Sequence, residues 1–372
     1  MQIHPFGRRS GFQVPRTNIG AMRLPGDVDQ AVALIRQAID AGMRYIDTSR
    51  GYGDSEVKLG KALKNGYREK VILSTKWSPW ITRIEPSDDT SATCVRKRIE
   101  ESMHRLQVDY LDFYQVWNID SKEHYEQAVA PGGMIDGIRQ AREDGLVGHI
   151  GCTSHDSVEH LVEVLPEMDW CEVILVSYNL LNTAYAPVIH KAHELGIGVI
   201  IMNPVGGGRL AQPSSVLEVL AAGVGANSVP DLAIRYQMSN PGIDTILSGI
   251  SKPGDVTASV RSVEAGAFNP DALKKIENVL DHVAAARKSF CTGCAYCMPC
   301  PQGIDIPGVM SAILEERLWG MKSEAISRYR DLKGPKADEC IHCGTCEEKC
   351  PQHLDIMDEI ENANLAYGVA AW

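Results

Sequence analysis

Over the first 280 residues, short β-branched runs alternate with stretches whose apolar positions recur at three- and four-residue steps. The first pattern predicts buried strands and the second amphipathic helices, because side chains return to one face every second residue on a strand and every turn on a helix. Strands are expected at Thr17–Met22, Arg44–Asp47, Val71–Lys76, Tyr110–Val116, Val147–Cys152, Glu172–Ser177, Ile197–Met202 and Asp244–Leu247. Helical patterns fill the gaps, as at Asp27–Ala41, Ser55–Lys64, Cys94–Leu106, Met134–Glu143, Ala186–Leu195 and Pro230–Met238. Eight such units in this length predict an α/β fold of the (β/α)8, or TIM-barrel, type. A doubly wound sheet is the alternative, but no G-x-G-x-x-G follows the first strand, as that fold's dinucleotide site requires. Met1–Phe12 is expected to form a small hairpin plugging the barrel floor, and Asn269–Lys288 one further helix.

Past that helix the pattern changes. Eight of the eleven cysteines fall in two tight runs, Cys291, Cys294, Cys297 and Cys300-Pro301, then Cys340, Cys343, Cys346 and Cys350-Pro351. Three cysteines in C-x2-C-x2-C can curl around three corners of a cubane [4Fe–4S] cluster, and the fourth ligand must come from elsewhere. In two-cluster ferredoxins the Cys-Pro cysteine of each run ligates the other cluster. That rule predicts one set of Cys291, Cys294, Cys297 and Cys350, and a second of Cys340, Cys343, Cys346 and Cys300. The second run has the bacterial spacing; the first is one residue short, with Met298-Pro299 between its last two cysteines, so crossed ligation stands as an expectation. Disulfides would need an oxidising compartment, and zinc favours two separated pairs of ligands. Cys94, Cys152 and Cys171 lie in apolar or helical contexts and read as inert thiols.

The 39 residues between Cys300 and Cys340 read as helix, with Val309, Met310, Ile313, Leu314, Leu318 and Met321 at helical steps. This resembles the α-helical ferredoxin module, an electron-relay domain of larger oxidoreductases. The chain is thus expected to divide into a barrel, residues 1–280, and a C-terminal all-α ferredoxin-like domain with two [4Fe–4S] clusters, residues 281–372.

The formal net charge of −11 argues against a nucleic-acid partner, which needs a basic stripe, and against anionic membranes. No apolar run reaches the length of a membrane span, and Met1-Gln2-Ile3-His4-Pro5 lacks the apolar core of a signal peptide. A cytoplasmic location follows as an expectation.

Barrel enzymes place their chemistry at the C-terminal ends of strands. The second strand runs into Tyr45-Ile46-Asp47-Thr48-Ser49-Arg50-Gly51-Tyr52-Gly53-Asp54-Ser55-Glu56, and the third ends Ser74-Thr75-Lys76. With Gly145-Leu146-Val147-Gly148-His149-Ile150-Gly151, Tyr178-Asn179-Leu180-Leu181 and Asn203-Pro204-Val205-Gly206-Gly207-Gly208, these motifs resemble the aldo-keto reductase superfamily over the whole barrel. Taken with the cysteine tail, the resemblance is to the subgroup carrying a C-terminal ferredoxin domain. It implies that Tyr52 donates a proton to a substrate oxygen, that Lys76 activates it, and that Asp47 anchors Lys76. An ammonium beside a phenol lowers its pKa, and a carboxylate keeps that ammonium charged. Without the resemblance, Asp47 and Lys76 read equally well as a buried structural ion pair and Tyr52 as a rim aromatic.

The departures matter as much. The family's fourth catalytic residue is a His at the end of strand four, where Trp117 stands. An indole N–H donates one hydrogen bond but shuttles no proton. Asn118, Trp77 and His155 are the neighbours that would compensate or simply wall the pocket. At the positions of the family's nicotinamide site stand Thr153 and Ser154 for its Ser-Asn pair, Leu175 for its Gln and Met202 for its stacking aromatic. Gly249, Asp255, Ala258 and Ser259 occupy the adenine and 2′-phosphate positions beside Ser251, leaving Lys252 and Arg261 as nearby cations. A phosphate-cradling loop, Pro204 to Gly208 with Gly206, is retained, though a glycine run alone also reads as a turn.

Two activities are compatible with these residues. One is reduction of a carbonyl or related small organic substrate with NADP(H) as hydride source. The other dispenses with nicotinamide: the clusters pass single electrons to a substrate, a flavin or a redox protein partner at the barrel mouth, with Tyr52 still supplying the proton. No flavin motif is visible, and a barrel can bind a flavin without one. A binding or sensor protein with an inert barrel is a third reading, opposed by the intact Asp47, Tyr52 and Lys76 set.

Overall fold

The computed structural model describes residues 1–288 and 290–368. Eight parallel strands close into a barrel: β3 (Thr17–Gly20), β4 (Tyr45–Asp47), β5 (Ile72–Trp77), β6 (Leu111–Ile119), β7 (Val147–Ser154), β8 (Val173–Ser177), β9 (Gly198–Met202) and β10 (Thr245–Gly249). The ring is completed by β10 pairing with both β9 and β3. Every strand expected from the pattern is present. β6 runs three residues past its expected end because a register shift between Val116 and Ile119, with Asn118 at φ 61°, lets pairing to β7 resume.

Before the barrel, β1 (Ile3–Pro5) and β2 (Gln13–Pro15) form an antiparallel hairpin, so the return strand lies beyond Phe12, where the sequence reading ended it. Phe6 and Val14 are fully buried in one cluster with Tyr45, Ile72, Phe113, Val173, Leu175, Ile200 and Leu247, the inward residues of the strands. Arg9 reaches the carbonyls of Met168 and Cys171 at 2.8 Å each, and Arg8 N bonds Gly196 O at 2.9 Å, just before β8 and β9. The hairpin therefore closes the N-terminal end of the barrel. Gly198 makes room for it: a Cβ there would lie 3.0 Å from the Phe6 ring. A larger cluster, including Leu73, Trp77, Tyr114, Val116, Ile150 and Cys152, joins the outward strand faces to the helices. Period-two alternation thus sorts β5 into Ile72, Ser74 and Lys76 inside and Leu73, Thr75 and Trp77 outside.

By internal contacts the chain forms two compact units: Met1–Pro204 with Ala233–Ala267, and Val205–Leu232 with Phe268 onward. A division at 280 and 281 cuts through helix Pro270–Lys288, and the glycine loop and helix Ser215–Gly223 group with the cysteine-bearing unit. In that second unit Val309, Met310, Ile313, Leu314, Leu318 and Met321 are all buried, as expected of a helix core. The helical stretch is two helices, Ile306–Trp319 and Lys322–Asp331, broken at Gly320 in the left-handed conformation, where a Cβ would meet Ser215 Oγ at 2.1 Å. The cysteine runs continue alike, Cys300-Pro301-Gln302-Gly303-Ile304-Asp305-Ile306 and Cys350-Pro351-Gln352-His353-Leu354-Asp355-Ile356, each opening a helix with the Asp at the N-cap position, where the Asp305 side chain accepts from Gly308 N. Among the described residues, no helix is long and apolar enough to cross a membrane.

Candidate functional site

At the C-terminal end of β4 and β5 the lumen changes from apolar to polar. Asp47 and Lys76, 2% and 1% exposed, are paired there through Oδ1 and Nζ. Lys76 Nζ also donates to Thr48 O at 2.9 Å. The loop carrying Tyr52 is tied to β5 by Arg50 N to Lys76 O, 3.2 Å, and Ser49 Oγ to Lys76 O, 3.0 Å, and Tyr52 N turns back onto Ser49 O at 3.0 Å. These bonds place the Tyr52 ring with its centroid 4.8 Å from Lys76 Nζ. The three expected catalytic residues are therefore brought together.

The electrostatics differ from the simple expectation in one respect. Burial pushes the Tyr52 phenol above its ordinary pKa; the Lys76 charge opposes the shift without reversing it. Burial alone would lower Lys76, but Asp47 and then Tyr52 more than offset it and keep the ammonium charged. Tyr52 thus keeps its phenolic proton across the neutral range, beside a buried cation.

Trp117 packs edge to face on Tyr52, and its carbonyl is pinned by Trp80 Nε1 at 2.9 Å and Ser78 Oγ at 2.5 Å. Gly51 permits the approach, since a Cβ there would sit 2.5 Å from the indole. The suggested neighbours separate. Trp77 is fully buried on the outer face of β5 with Nε1 bonded to Thr82 O at 2.7 Å; His155 is exposed; Asn118 Nδ2 donates to Asp120 at 2.8 Å.

The residues at the nicotinamide positions are mostly occupied by the protein itself. Thr153 Oγ1 accepts Asn118 N at 2.7 Å, while Ser154 Oγ donates to Ile119 O and accepts Asp156 N at 3.1 Å. Leu175 and Met202 pack in the lumen cluster. Ser251 Oγ donates to Asp255 at 2.8 Å, and the same carboxylate takes the N–H groups of Ser251 and Lys252, capping helix Pro253–Ala265. Asp255 is a helix cap, and Gly249, Ser251 and Lys252 are exposed. Gly206, Gly207 and Gly208 all have positive φ, and Gly208 N–H bonds Val205 O at 3.0 Å; this loop belongs to the other compact unit, while Pro204 ends the first. The Ser154 and Ser251 hydroxyls are thus engaged within the protein, whereas Thr153 Oγ1, an acceptor here, keeps its own O–H to donate.

The cysteines line two cavities of the second unit. One has Cys291, Cys294, Cys297 and Cys350 in its wall with Ile306, Met310 and Ile356. The other is lined by Cys300, Cys340, Cys343 and Cys346, with Cys297 shared between the two. Among the described residues no three such side chains converge on one point as a single ion demands. Four thiols spread around each apolar hollow fit a cluster, whose iron atoms each take one cysteine sulfur from the protein. Burial pushes the Cys346 thiol up to about 11, so ligation there must drive its deprotonation.

Two features escaped the sequence reading. Gln115 of β6 donates through Nε2 to Asp47 Oδ2 at 2.9 Å, and its inward parity with Phe113 was the available signal. Glu56, fully buried, accepts from Thr75 Oγ1 at 2.8 Å and Arg105 Nε at 2.9 Å, while Arg105 also bonds Gly53 O beside Tyr52.

A family model described as Aldo/keto reductase family matches residues 18–281, and one described as 4Fe-4S dicluster domain matches residues 290–355. An L-galactose dehydrogenase of Arabidopsis thaliana is 28% identical over 74% of this chain and 93% of its own length. An uncharacterized oxidoreductase of Bacillus subtilis, YrpG, is 30% identical over 54% of this chain and 66% of its own. The solved aldo-keto reductase AKR11C1 from Bacillus halodurans shares the fold, with a TM-score of 0.65 at 24% identity, covering 75% of this chain and 96% of that one.

Proposed function

We propose that this chain, which belongs to the aldo/keto reductase family and carries a 4Fe-4S dicluster domain, reduces a carbonyl or related small organic group, with Tyr52 as proton donor. The observation that carries this reading is the buried Asp47–Lys76 pair with the Tyr52 ring 4.8 Å from the Lys76 ammonium. Lys76 stabilises the phenolate that remains once the proton moves to the substrate oxygen, and Asp47 keeps Lys76 charged and oriented. Reduction to the alcohol needs two electrons and two protons; Tyr52 accounts for the proton on oxygen. When bound, NADP(H) would supply the electrons as a hydride, whereas the clusters would supply them one at a time. Cys291, Cys294, Cys297 and Cys350 would hold one cluster, and Cys300, Cys340, Cys343 and Cys346 the other.

Family membership supports NADP(H). The internal bonding of Ser154 and Ser251 favours the second reading, electron delivery without nicotinamide, to a substrate, flavin or redox protein. Anaerobic calorimetry with NADPH and NADH decides between them. Weak binding with little preference between the two keeps hydride transfer open; no binding of either removes it. Tight NADPH binding that survives Lys252→Ala and Arg261→Ala overturns the reading of those positions as occupied.

A further inference from the structure

Asp47 has two carboxylate oxygens and only one of them faces Lys76. The other, Oδ2, lies 2.9 Å from Nε2 of Gln115, a fully buried residue directly opposite Lys76 in the β5–β6 register. The same nitrogen is 2.7 Å from Ser74 Oγ and 3.3 Å from Tyr45 OH, so the amide sits at the centre of a polar layer just below the catalytic pair. Its orientation is decided by chemistry: the flipped amide would aim a carbonyl oxygen at a carboxylate. Both Asp47 oxygens then face groups that only donate, which is the environment of an ionised acid. The space for Gln115 is made across the strand pair, because Gly151 is its partner on β7 and a Cβ there would lie 3.1 Å from Gln115 Cγ.

We infer that Gln115 is a positioning residue, holding Asp47 ionised so that Lys76 stays charged against Tyr52. The titratable groups facing Asp47 are Lys76 from β5, Tyr45 from its own strand and Tyr52 from the following loop; Gln115 is the neutral donor that β6 contributes. A buried carboxylate deprived of one of two donors moves toward its neutral form, and a neutral Asp47 no longer holds the Lys76 charge. This inference deepens the assignment of Tyr52 as proton donor and rests on it only for its kinetic consequence.

The test uses the full cluster-loaded chain with Gln115→Leu and Gln115→Glu. Infrared spectra at neutral pH should show, in Gln115→Leu, a protonated-carboxyl band absent from wild type and removed by adding Asp47→Asn. With benzaldehyde as probe, and NADPH and reduced methyl viologen each offered as reductant, kcat for alcohol formation should fall about tenfold with KM unchanged. Gln115→Glu keeps the shape and, when protonated, donates to Asp47. Its activity should recover toward acid pH, where wild type shows no such rise; this variant carries the test if Gln115→Leu does not fold. A band in Gln115→Leu without any kinetic change leaves Gln115 as the support of Asp47 and overturns Tyr52 as donor instead. No band, together with wild-type pH profiles in both variants, overturns the inference.

Discussion

Tyr52 and Trp117 meet edge to face, with ring centroids 5.4 Å apart and planes at 86°. The indole thus braces the phenol from the side at which the family resemblance leads one to expect a proton-carrying imidazole. Trp117→Ala should lower turnover by roughly three- to tenfold, the equivalent of one lost aromatic pair, and leave the pH profile unchanged. A change in the profile would show that Trp117 does more than pack.

Tyr52→Phe removes only the phenolic oxygen and should abolish turnover while leaving fold and cluster content intact. Lys76→Met should act similarly by stripping the charge that opposes the upward shift of the phenol. In wild type the donor step should be flat through neutral pH and fail only on the alkaline side, as the raised phenol ionises. Steady-state rates across pH check the three proteins together. Retained activity in Tyr52→Phe would move the proton donor elsewhere.

Replacing Cys350 by Ser should impair the cluster whose other ligands are Cys291, Cys294 and Cys297. Iron analysis of the wild type should give about eight irons per chain, with about four remaining in the variant. Loss confined to the Cys340, Cys343 and Cys346 cluster contradicts the crossing, and zinc in place of iron after anaerobic purification ends the assignment.

Arg105→Ala leaves the buried Glu56 carboxylate without its cation and frees the Gly53 carbonyl next to Tyr52. Stripping one partner from a buried pair costs about 3 kcal/mol. Urea denaturation should register that loss, and turnover should drop as well, since the Tyr52 loop loses an anchor. Arg105→Lys, which reaches Glu56 without the second arm of the guanidinium fork, should recover stability better than rate.

Asp244, at the floor of the barrel, is pushed up to about 6 by burial, against the hydrogen bond from Val199 N at 2.8 Å. A carboxyl whose folded pKa exceeds its unfolded one binds more protons in the folded state, so its contribution to stability falls as pH rises between the two values. The window runs from about 4 to about 6, and the change is on the order of 2–3 kcal/mol. Asp244→Asn should flatten the slope of the urea midpoint over the part of this window in which the clusters survive. A parallel slope in the variant would place the titration elsewhere.

The strands, their closure and the cysteine runs were legible because each depends on a local regularity: alternation, helical spacing, or a ligand interval. Asp47, Tyr52 and Lys76 were legible through motif. Gln115 was not, since a glutamine within an apolar strand declares itself only when the barrel brings Asp47 opposite. The direction of the Tyr52 shift was misread because a linear sequence displays the neighbouring charge and conceals the depth of burial. The local partners of Thr153 and Ser154 were hidden in the same way: Thr153 Oγ1 accepts from Asn118 N of β6, and Ser154 Oγ bonds Ile119 O at the end of β6 and Asp156 N in the following loop.

The hairpin beneath the barrel has a kinetic consequence. With Phe6 and Val14 packed on Tyr45, Ile72 and Phe113, the described residues fill the base of the lumen from the hairpin side. If the proposed reduction holds, substrate and alcohol product both use the opposite end of the barrel, where Tyr52 stands. Product should therefore compete with substrate, and turnover should slow as bulkier products accumulate.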